Sequence, residues 1–321
     1  MEYNEFCQKV TKEVSRMLGK TYSVRQEKVV KNNQIEYQAI VISKNQVRIA
    51  PTIYLESYYN DYKDGKNLTD IGLDIVVHYE NCKDELDVDI NMLTSYEYMR
   101  ERVYVRVVNT EMNRELLQSM PHIEYGNLSM TIYGQLDDGT NQHATMNVVN
   151  KHLDIWEVSE DELFQQAISN TKTNKPMVLK KMSEVLMDML KSKLDNCGYE
   201  PNEDDEFDDI VEGAKRCIEE SKHTEMYVLT NKSGYAGAVN MLFDDIMSNV
   251  IEQIDDDVYI LPSSIHEIIL VPKGSGSSME ELANIVQSVN GSEMDPKEIL
   301  SNQVYLYERG AGLIWNDDDK H

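Results

Sequence analysis

The sequence is poor in cysteine and in long apolar runs. Its four cysteines, Cys7, Cys82, Cys197 and Cys217, are scattered through 321 residues without a CxxC pair. This spacing is typical of neither a disulfide framework nor a zinc site. No run approaches the roughly 18 apolar residues that a membrane span needs, and charges from Glu2 onward replace the apolar core of a signal peptide. We therefore expect a reduced, cytoplasmic protein that does not enter a membrane.

Basic residues are also scarce. Lys and Arg number 31 against 57 Asp and Glu, so the formal net charge is −26. Binding to nucleic acid requires clustered cations that neutralise phosphates, and an anionic membrane repels an acidic chain in the same way. Apolar residues make up 41% of the chain, which is enough for a folded core. We expect a globular protein whose partner is a protein, with no nucleic acid and no membrane.

The negative charge is most concentrated beyond the middle of the chain. Seven carboxylates lie within residues 200–209, just after the turn-like Asn196-Cys197-Gly198. Self-repulsion within such a run favours a linker over a packed element. The sequence therefore predicts two sub-domains. An N-terminal α+β domain at 1–195 ends in helices over 159–192, an acidic linker covers 196–220, and a C-terminal domain covers 221–321.

Apolar periodicity predicts an α+β fold with mixed, largely antiparallel sheets and packed helices. Phe6, Val10, Val14 and Met17 form one stripe at helical spacing. Two strand-like segments, 21–30 and 34–43, flank a polar turn and predict a hairpin. A single strand is expected over 123–136, and the C-terminal domain reads as strand 225–231, helix 237–254, strands 257–262 and 266–272, two helices, and strand 303–308, in the order β-α-β-β-α-α-β.

Several helices are predicted from the residues at their first turn. Ser159 with Glu162, and Ser278 with Glu281, match the capping box that opens a helix. Pro176 suits the first helical position, where its missing N–H is not needed. The short last helix is expected at Asp295-Pro296. Apolar residues at helical spacing are expected on the buried side of the helix that starts at Pro176, namely Val178, Met182, Val185, Leu186 and Met189.

Four stretches carry a family resemblance. They are APTIYL (50–55), NKHLDIW with SEDEL (150–156 and 159–163), MYVLTN (226–231) and YILPSSIHE (259–267). Together they resemble an uncharacterised domain-of-unknown-function family of gut clostridia and related Firmicutes, over nearly the whole chain. The second stretch is also similar, more distantly, to another uncharacterised Firmicute family. The resemblance implies a bacterial cytosolic protein with a two-part architecture, and it implies no reaction and no catalytic residue.

The strongest candidates for catalysis lie in the last of these stretches. Ser263, Ser264, His266 and Glu267 place two hydroxyls, an imidazole and a carboxylate within five residues. These are the groups of a hydrolytic triad, although a triad is defined by geometry and the G-x-S-x-G elbow is absent. The alternative interpretation is a hairpin turn, because Pro262 ends one apolar strand and serines favour bends.

Other chemical motifs are incomplete. The segment 274–278 (GSGSS) precedes a helix, as a phosphate loop does, but Met279 replaces the third glycine of a dinucleotide site. The seven histidines form no HxH or HExxH pattern. We therefore predict no cofactor and no metal site.

Tyrosine is abundant where phenylalanine is rare, at 19 against 4 residues. Tyr54, Tyr58, Tyr59 and Tyr62 cluster on one predicted helix. Tyrosine suits protein interfaces, and it equally suits the edge of a modest core. The leading hypothesis is a non-catalytic cytoplasmic binding protein that acts on another protein. The alternative is an enzyme of unrecognised type, such as a hydrolase that uses His266.

Overall fold

A computed structural model describes residues 1–44, 52–82, 90–136, 144–196, 225–262 and 264–315. Helices and three mostly antiparallel sheets confirm the α+β class. No helix in the described ranges is long and apolar enough to cross a membrane. From residue 197 onward the predicted linker at 196–220 lies outside the described residues, as does Ser263.

The described elements are as follows. The helices are α1 (Tyr3–Leu18), α2 (Glu56–Lys63), α3 (Leu68–Cys82), α4 (Ile90–Leu93), α5 (Tyr96–Met99), α6 (Arg114–Leu117), α7 (Asn150–Trp156), α8 (Glu160–Asn174), α9 (Met182–Asn196), α10 (Asp244–Ile254) and α11 (Met279–Ser292). The strands are β1 (Tyr22–Val30), β2 (Glu36–Lys44), β3 (Thr52–Tyr54), β4 (Val103–Asn109), β5 (His122–Tyr125), β6 (Leu128–Leu136), β7 (Ala144–Asn147), β8 (Met177–Lys181), β9 (Tyr227–Asn231), β10 (Val258–Leu261), β11 (Ile268–Pro272), β12 (Tyr305–Glu308) and β13 (Gly312–Ile314).

The chain divides into two compact units that differ from the predicted domains in their bounds. Unit 1 comprises Met1–Tyr104, Met112–Pro121 and Ile132–Ile168, and unit 2 comprises Val105–Glu111, His122–Thr131 and Ser169–His321. The three sheets have the strand orders β1-β2-β3, β4-β6-β5 with β7 paired to β6, and β13-β12-β10-β11-β9-β8. The predicted domain bounds stay a prediction, because most of the linker on which they depend is not described.

The core of unit 1 forms between α1, α3 and the first hairpin. The predicted stripe on α1 buries Phe6, Val10 and Val14, which join Ile40 of β2 and Ile71 of α3 in one apolar cluster. Burial of each such side chain stabilises the fold by about 1.5–3 kcal/mol. Strands β1 and β2 pair antiparallel from end to end, so the predicted hairpin is confirmed.

The clustered tyrosines pack at the edge of this core. The Tyr59 ring lies 4.9 Å from Tyr3 and 5.2 Å from Phe6, and the Tyr62 ring lies 5.5 Å from Phe6, between centroids. Tyr58 shares a 2.8 Å hydrogen bond between its hydroxyl and His78 Nδ1. The rings of Tyr59 and Tyr62 therefore pack between α1 and α2, whereas Tyr54 lies on strand β3 and not on the predicted helix.

The core of unit 2 forms on the six-stranded sheet. Helix α11 buries Leu282 and Val286 against Leu261, Val271 and Val304. Helix α10 buries Met247, Val250 and Ile251. The capping boxes predicted at Ser159–Glu162 and Ser278–Glu281 are both formed.

Two predicted elements of the middle region are wrong. The single strand over 123–136 is a hairpin, β5 and β6, because Gly126 adopts a φ of 56° that reverses the chain. The Trp315 ring covers this turn so closely that a Cβ at Gly126 would lie 2.8 Å from it. Pro176 precedes strand β8 and not a helix, because residues 177–181 pair along their whole length with β9.

Helix α9 consequently begins six residues later than predicted, and none of its described side chains is buried. The predicted buried side of this helix is therefore wrong, since Leu186 and Met189 are exposed. The helix expected over 237–254 is interrupted at Phe243, whose backbone is extended. A 3-10 helix, Gly237–Leu242, precedes the interruption.

The last helix, predicted at Asp295-Pro296, is instead a turn. It is closed by the hydrogen bond from the Glu298 N–H to Asp295 O, three residues earlier. An additional strand, β13, pairs with β12 after it. The described order of the C-terminal region is thus β-α-β-β-α-β-β.

A reciprocal pair of buried amides holds the tip of the first hairpin. Asn113 Oδ1 accepts from the Asn33 backbone N–H at 2.8 Å, and Asn113 Nδ2 donates to Asn33 Oδ1 at 2.9 Å. Asn33 has a φ of 59°, a conformation that asparagine tolerates better than most residues. These two hydrogen bonds replace the hydrogen bonds to water that both amides lose on burial.

We expect Asn113→Ala to lower the free energy of unfolding by about 1–3 kcal/mol, because it leaves buried polar groups of Asn33 without these bonds. The matched control is Asn4→Ala on the exposed face of α1, which should change stability by less than about 0.5 kcal/mol. Urea denaturation of both variants measures the difference, and equal midpoints would contradict the assigned role.

Candidate functional site around His266

The predicted catalytic cluster lies on the connection between β10 and β11. Ser264 and Ile265 are tied to a second segment: Ser264 forms an isolated antiparallel bridge with Ile299, and the Ile265 N–H donates to Glu298 O at 2.9 Å. The connection is therefore clamped to residues 298–299, which are distant in sequence.

The Ser264 side chain bonds to the main chain. Its Oγ accepts from the His266 backbone N–H at 3.0 Å, which is a local serine turn, and the residue is buried. Glu267 next to it is exposed as a residue, although partial burial of its carboxyl raises its pKa. Among the described residues, no serine hydroxyl hydrogen-bonds to the His266 ring.

The His266 ring is held by a backbone group of a separate loop. The Ala236 N–H donates to Nδ1 at 3.2 Å. Because Nδ1 is then the acceptor, the proton of the neutral ring is assigned to Nε2, which faces Glu298 Oε1 at 3.8 Å. The Tyr235 ring lies beside the imidazole, 5.1 Å between centroids.

These surroundings favour the neutral imidazole. Burial lowers the pKa of His266, the nearby Glu298 carboxylate opposes this change, and the cations of Lys297 and Arg106 reinforce it. Protonation of Nδ1 would also set two N–H groups against each other at Ala236. We conclude that His266 is neutral at pH 7.

The loop that carries Ala236 satisfies its own donors. Asn231 Oδ1 accepts from the backbone N–H and the hydroxyl of Ser233, at 2.9 and 2.7 Å. The Gly234 N–H donates to Asn231 O at 3.0 Å, and the Tyr235 N–H donates to Ser233 Oγ at 3.4 Å. Four consecutive N–H groups, at residues 233–236, are therefore occupied within the molecule, so this glycine-containing loop is not built to cradle an anion.

A glycine makes the contact between this loop and the His266 backbone possible. A Cβ at Gly237 would lie 2.5 Å from Thr230 Oγ1 and 2.7 Å from both Asn231 N and His266 O. Thr230 Oγ1 donates to His266 O at 2.9 Å. Backbone atoms cannot yield as a flexible side chain can, so any larger residue at position 237 would push the loop away from His266.

The arrangement of His266 is that of a structural connector. A general base needs a nitrogen lone pair within roughly 2.6–3.2 Å of the proton that it removes. In His266 that lone pair accepts from the Ala236 N–H, and the other nitrogen points towards Glu298. The contacts with Ala236, Tyr235 and Glu298 were not foreseen, because residues 30 or more positions apart carry no signal of their pairing in one sequence.

Lys175 is a buried cation that the sequence did not single out. It lies just beyond α8 in unit 2 and is buried, and burial lowers the pKa of its ammonium group to about 8. The Lys232 N–H donates to the carbonyl of the next residue, Pro176, at 3.0 Å, which ties this corner to the end of β9. At pH 7 most of this ammonium group still carries its proton.

No metal centre is assembled in the described ranges, where no three His, Cys, Asp or Glu side chains converge to hold an ion. His78, His122, His152 and His266 lie in different surroundings, and His143, His223 and His321 lie outside the described residues.

Ser264→Ala removes the acceptor for one partly buried N–H group. We expect the free energy of unfolding to fall by about 1 kcal/mol, the usual value for a local hydrogen bond. Thermal denaturation measures this loss. Labelling of Ser264 by a fluorophosphonate probe would contradict the structural role of its hydroxyl.

His266→Asn and His266→Ala separate the hydrogen bond of the ring from its titration. Asparagine Oδ1 can take the place of Nδ1, so we expect His266→Ala to lower stability by about 1–3 kcal/mol at pH 7.5 and His266→Asn to lower it less. Because the folded pKa of His266 is lowered, the unfolded chain binds more protons as pH falls below about 6.5, and stability decreases.

Both variants should therefore show a shallower loss of stability than the parent between about pH 7 and pH 5. Some slope should remain, because burial also lowers the pKa of His152. Urea midpoints across this pH range test the expectation, and unchanged slopes in both variants would contradict it.

Comparison with known proteins identifies the family of the chain. No curated protein and no solved structure shows a significant match. A family profile, described as a family of unknown function (DUF5688), matches residues 3–309. Since this match spans nearly the whole chain and carries all four resembling stretches, the protein belongs to the DUF5688 family of unknown function.

Proposed function

We propose that this protein is a non-catalytic cytoplasmic binding protein whose partner is another protein. The observation that carries the proposal is the pairing of exposed apolar side chains on three helices. The pairs are Leu73 and Val77 on α3 (55% and 51% exposed), Leu186 and Met189 on α9 (48% and 54%), and Ile285 and Val289 on α11 (54% and 37%).

Pairing distinguishes these residues from ordinary surface apolar residues. A single exposed leucine is common on protein surfaces and does not indicate a binding site. Residues three or four positions apart on a helix are neighbours, so each pair forms a continuous apolar patch. Contiguous exposed apolar surface is typical of sites that contact other molecules.

The state of the predicted catalytic cluster favours binding over catalysis. The His266 lone pair and the Ser264 hydroxyl are both bound to backbone N–H groups. The net charge of −26 further favours a protein partner over nucleic acid or an anionic membrane. The scattered cysteines, without a CxxC pair, support a reducing compartment such as the cytoplasm.

One observation favours the alternative, a hydrolase built on His266. Its Nε2 lies 3.8 Å from a carboxylate oxygen of Glu298, a residue distant in sequence, and the ring is largely buried. A carboxylate beside an imidazole is part of the triad arrangement. The serine that would complete it in the predicted cluster, Ser263, lies outside the described residues.

A comparison of three full-length proteins in cells of the encoding organism tests the two functions. They are the parent, a variant with all six exposed residues changed to serine, and His266→Asn as the matched control. We expect one protein to co-purify stoichiometrically with the parent and with His266→Asn, and to be lost from the serine variant. Thermal unfolding first confirms that all three are folded.

Two results would contradict the proposal. One is labelling of the parent by a fluorophosphonate probe that His266→Asn abolishes, which would establish the hydrolase. The other is a set of co-purifying proteins that the six serine substitutions leave unchanged.

A further inference from the structure

Helix α11 presents two different faces. Leu282, Val286 and Asn290 are buried towards the sheet of unit 2, while Ile285 and Val289 lie on the exposed side. The helix is well fixed, because its capping box is formed and Asn290 Nδ2 donates to Ser301 O at 3.0 Å and to Asn302 Oδ1 at 2.8 Å. The exposed face is therefore presented without a large cost of ordering on binding.

Carboxylates bracket the apolar pair on this face. Glu281, Ile285, Val289 and Glu293 follow one another at intervals of four residues, and the two glutamates are exposed. Such a row winds by about 40° at each step, so consecutive members are neighbours while the row turns by about 120° from Glu281 to Glu293. The result is a short apolar patch with an anionic group at each end.

The anionic group at the first end is held in place. Glu281 Oε2 accepts from the Ser278 backbone N–H and hydroxyl, both at 3.0 Å. These hydrogen bonds keep the pKa of Glu281 below its usual range. Its charge is therefore present at any physiological pH.

The negative charge around α11 is not neutralised locally. Residues 274–296 contain Glu280, Glu281, Glu293 and Asp295 but no Lys, Arg or His. Within the described part of the chain, the three glutamates form no ion pair, and Asp295 pairs with Lys297 at 2.8 Å.

The other two exposed apolar pairs lie beside carboxylates that form ion pairs with lysines. Beside the α9 pair, Asp188 accepts from Lys180 at 2.8 Å, and beside the α3 pair Asp74 is bound by Lys66. Among the described residues, Glu280, Glu281 and Glu293 near α11 thus form no ion pair, whereas Asp74 and Asp188 each pair with a lysine.

We infer that the exposed face of α11, defined by Glu281, Ile285, Val289 and Glu293, is the docking site for a basic amphipathic segment of a partner protein. Lysine or arginine of that segment would meet the two glutamates, and its apolar side chains would cover Ile285 and Val289. The inference rests on the proposed binding function and names the surface and the chemistry of the partner.

A second copy of this chain is a poor occupant. An antiparallel pairing of two α11 helices would bring Glu281 of one copy against Glu293 of the other, and a parallel pairing would oppose identical glutamates. Like charges in contact destabilise an interface. Charge complementarity therefore favours a different, basic chain.

Two synthetic helical peptides of about 14 residues are suitable probes, because four turns cover the row. Both carry leucine along one face, and the other positions are lysine in one peptide and glutamate in the other. Binding to the full-length protein is followed by fluorescence anisotropy at about 150 mM salt, where non-specific attraction is strongly screened. We expect the lysine peptide to bind and the glutamate peptide not to bind.

Three double variants then locate the site. Ile285→Ser with Val289→Ser should weaken binding about tenfold or more, because it removes two apolar contacts. Glu281→Gln with Glu293→Gln, which keeps the capping box, should weaken binding and reduce its dependence on salt. Val30→Ser with Ile155→Ser, two exposed apolar side chains outside the three pairs, is the matched control and should change the affinity less than about twofold.

Several results would overturn the inference. These are equal binding of the two peptides, unchanged affinity in the Ile285 and Val289 variant, or equal loss in the Val30 and Ile155 control. A dimer of the parent in sedimentation that the Ile285 and Val289 variant dissolves would assign the face to a second copy instead. The proposed function would survive each of these results if the six-residue serine variant still loses its partner in cells, so the two failures are distinguishable.

Discussion

The hydrogen bond from the Ala236 N–H to His266 Nδ1 is the interaction on which the loops of unit 2 depend. It joins the loop after β9 to the connection between β10 and β11, and it decides which nitrogen of the ring carries the proton. The donor can approach because Gly237 leaves room for the His266 carbonyl, and Thr230 then binds that carbonyl from the side. A glycine, a backbone N–H and an imidazole lone pair thus hold the loop after β9 against the connection between β10 and β11.

Local patterns predicted those parts of the fold in which one short segment decides its own structure. The stripe of Phe6, Val10 and Val14 gave helix α1, and the polar turn after residue 30 gave the first hairpin. The errors arise where a partner elsewhere in the chain decides. Pro176 suits the first turn of a helix, but β9 provides a full set of strand partners for the residues that follow it.

The same distinction applies to the candidate site, where the residue types were predictable from the sequence and their contacts were not. The stretch 263–267 was recognisable because its residue types are those of catalytic groups. Its geometry was not, since Ala236 and Glu298 come from 30 and 32 residues away and their approach depends on how the sheet folds. A residue type indicates which reactions are possible, whereas the bonds that its atoms already make decide which of them remain available.

Charge distribution is organised at a finer scale than the net value suggests. Many of the carboxylates form individual ion pairs with lysines, such as Asp188 with Lys180 and Glu308 with Lys273. These exposed pairs contribute little to stability individually. Their consequence is to neutralise parts of the surface, so that the face of α11 stands out as acidic and apolar together.

Hydrogen bonds connect the His266 turn to that face. The Ile265 N–H donates to Glu298 O, the Ser301 N–H donates to Pro262 O, and Asn290 at the end of α11 donates to Ser301 O. Residues 298–301 are therefore hydrogen-bonded both to the His266 turn and to the end of α11. A substitution that loosens the turn would also disturb the end of α11 that carries Val289. Loss of function in a His266 variant is consequently no proof of catalysis, and only a substitution that keeps the bond to Ala236 separates a chemical role from a structural one.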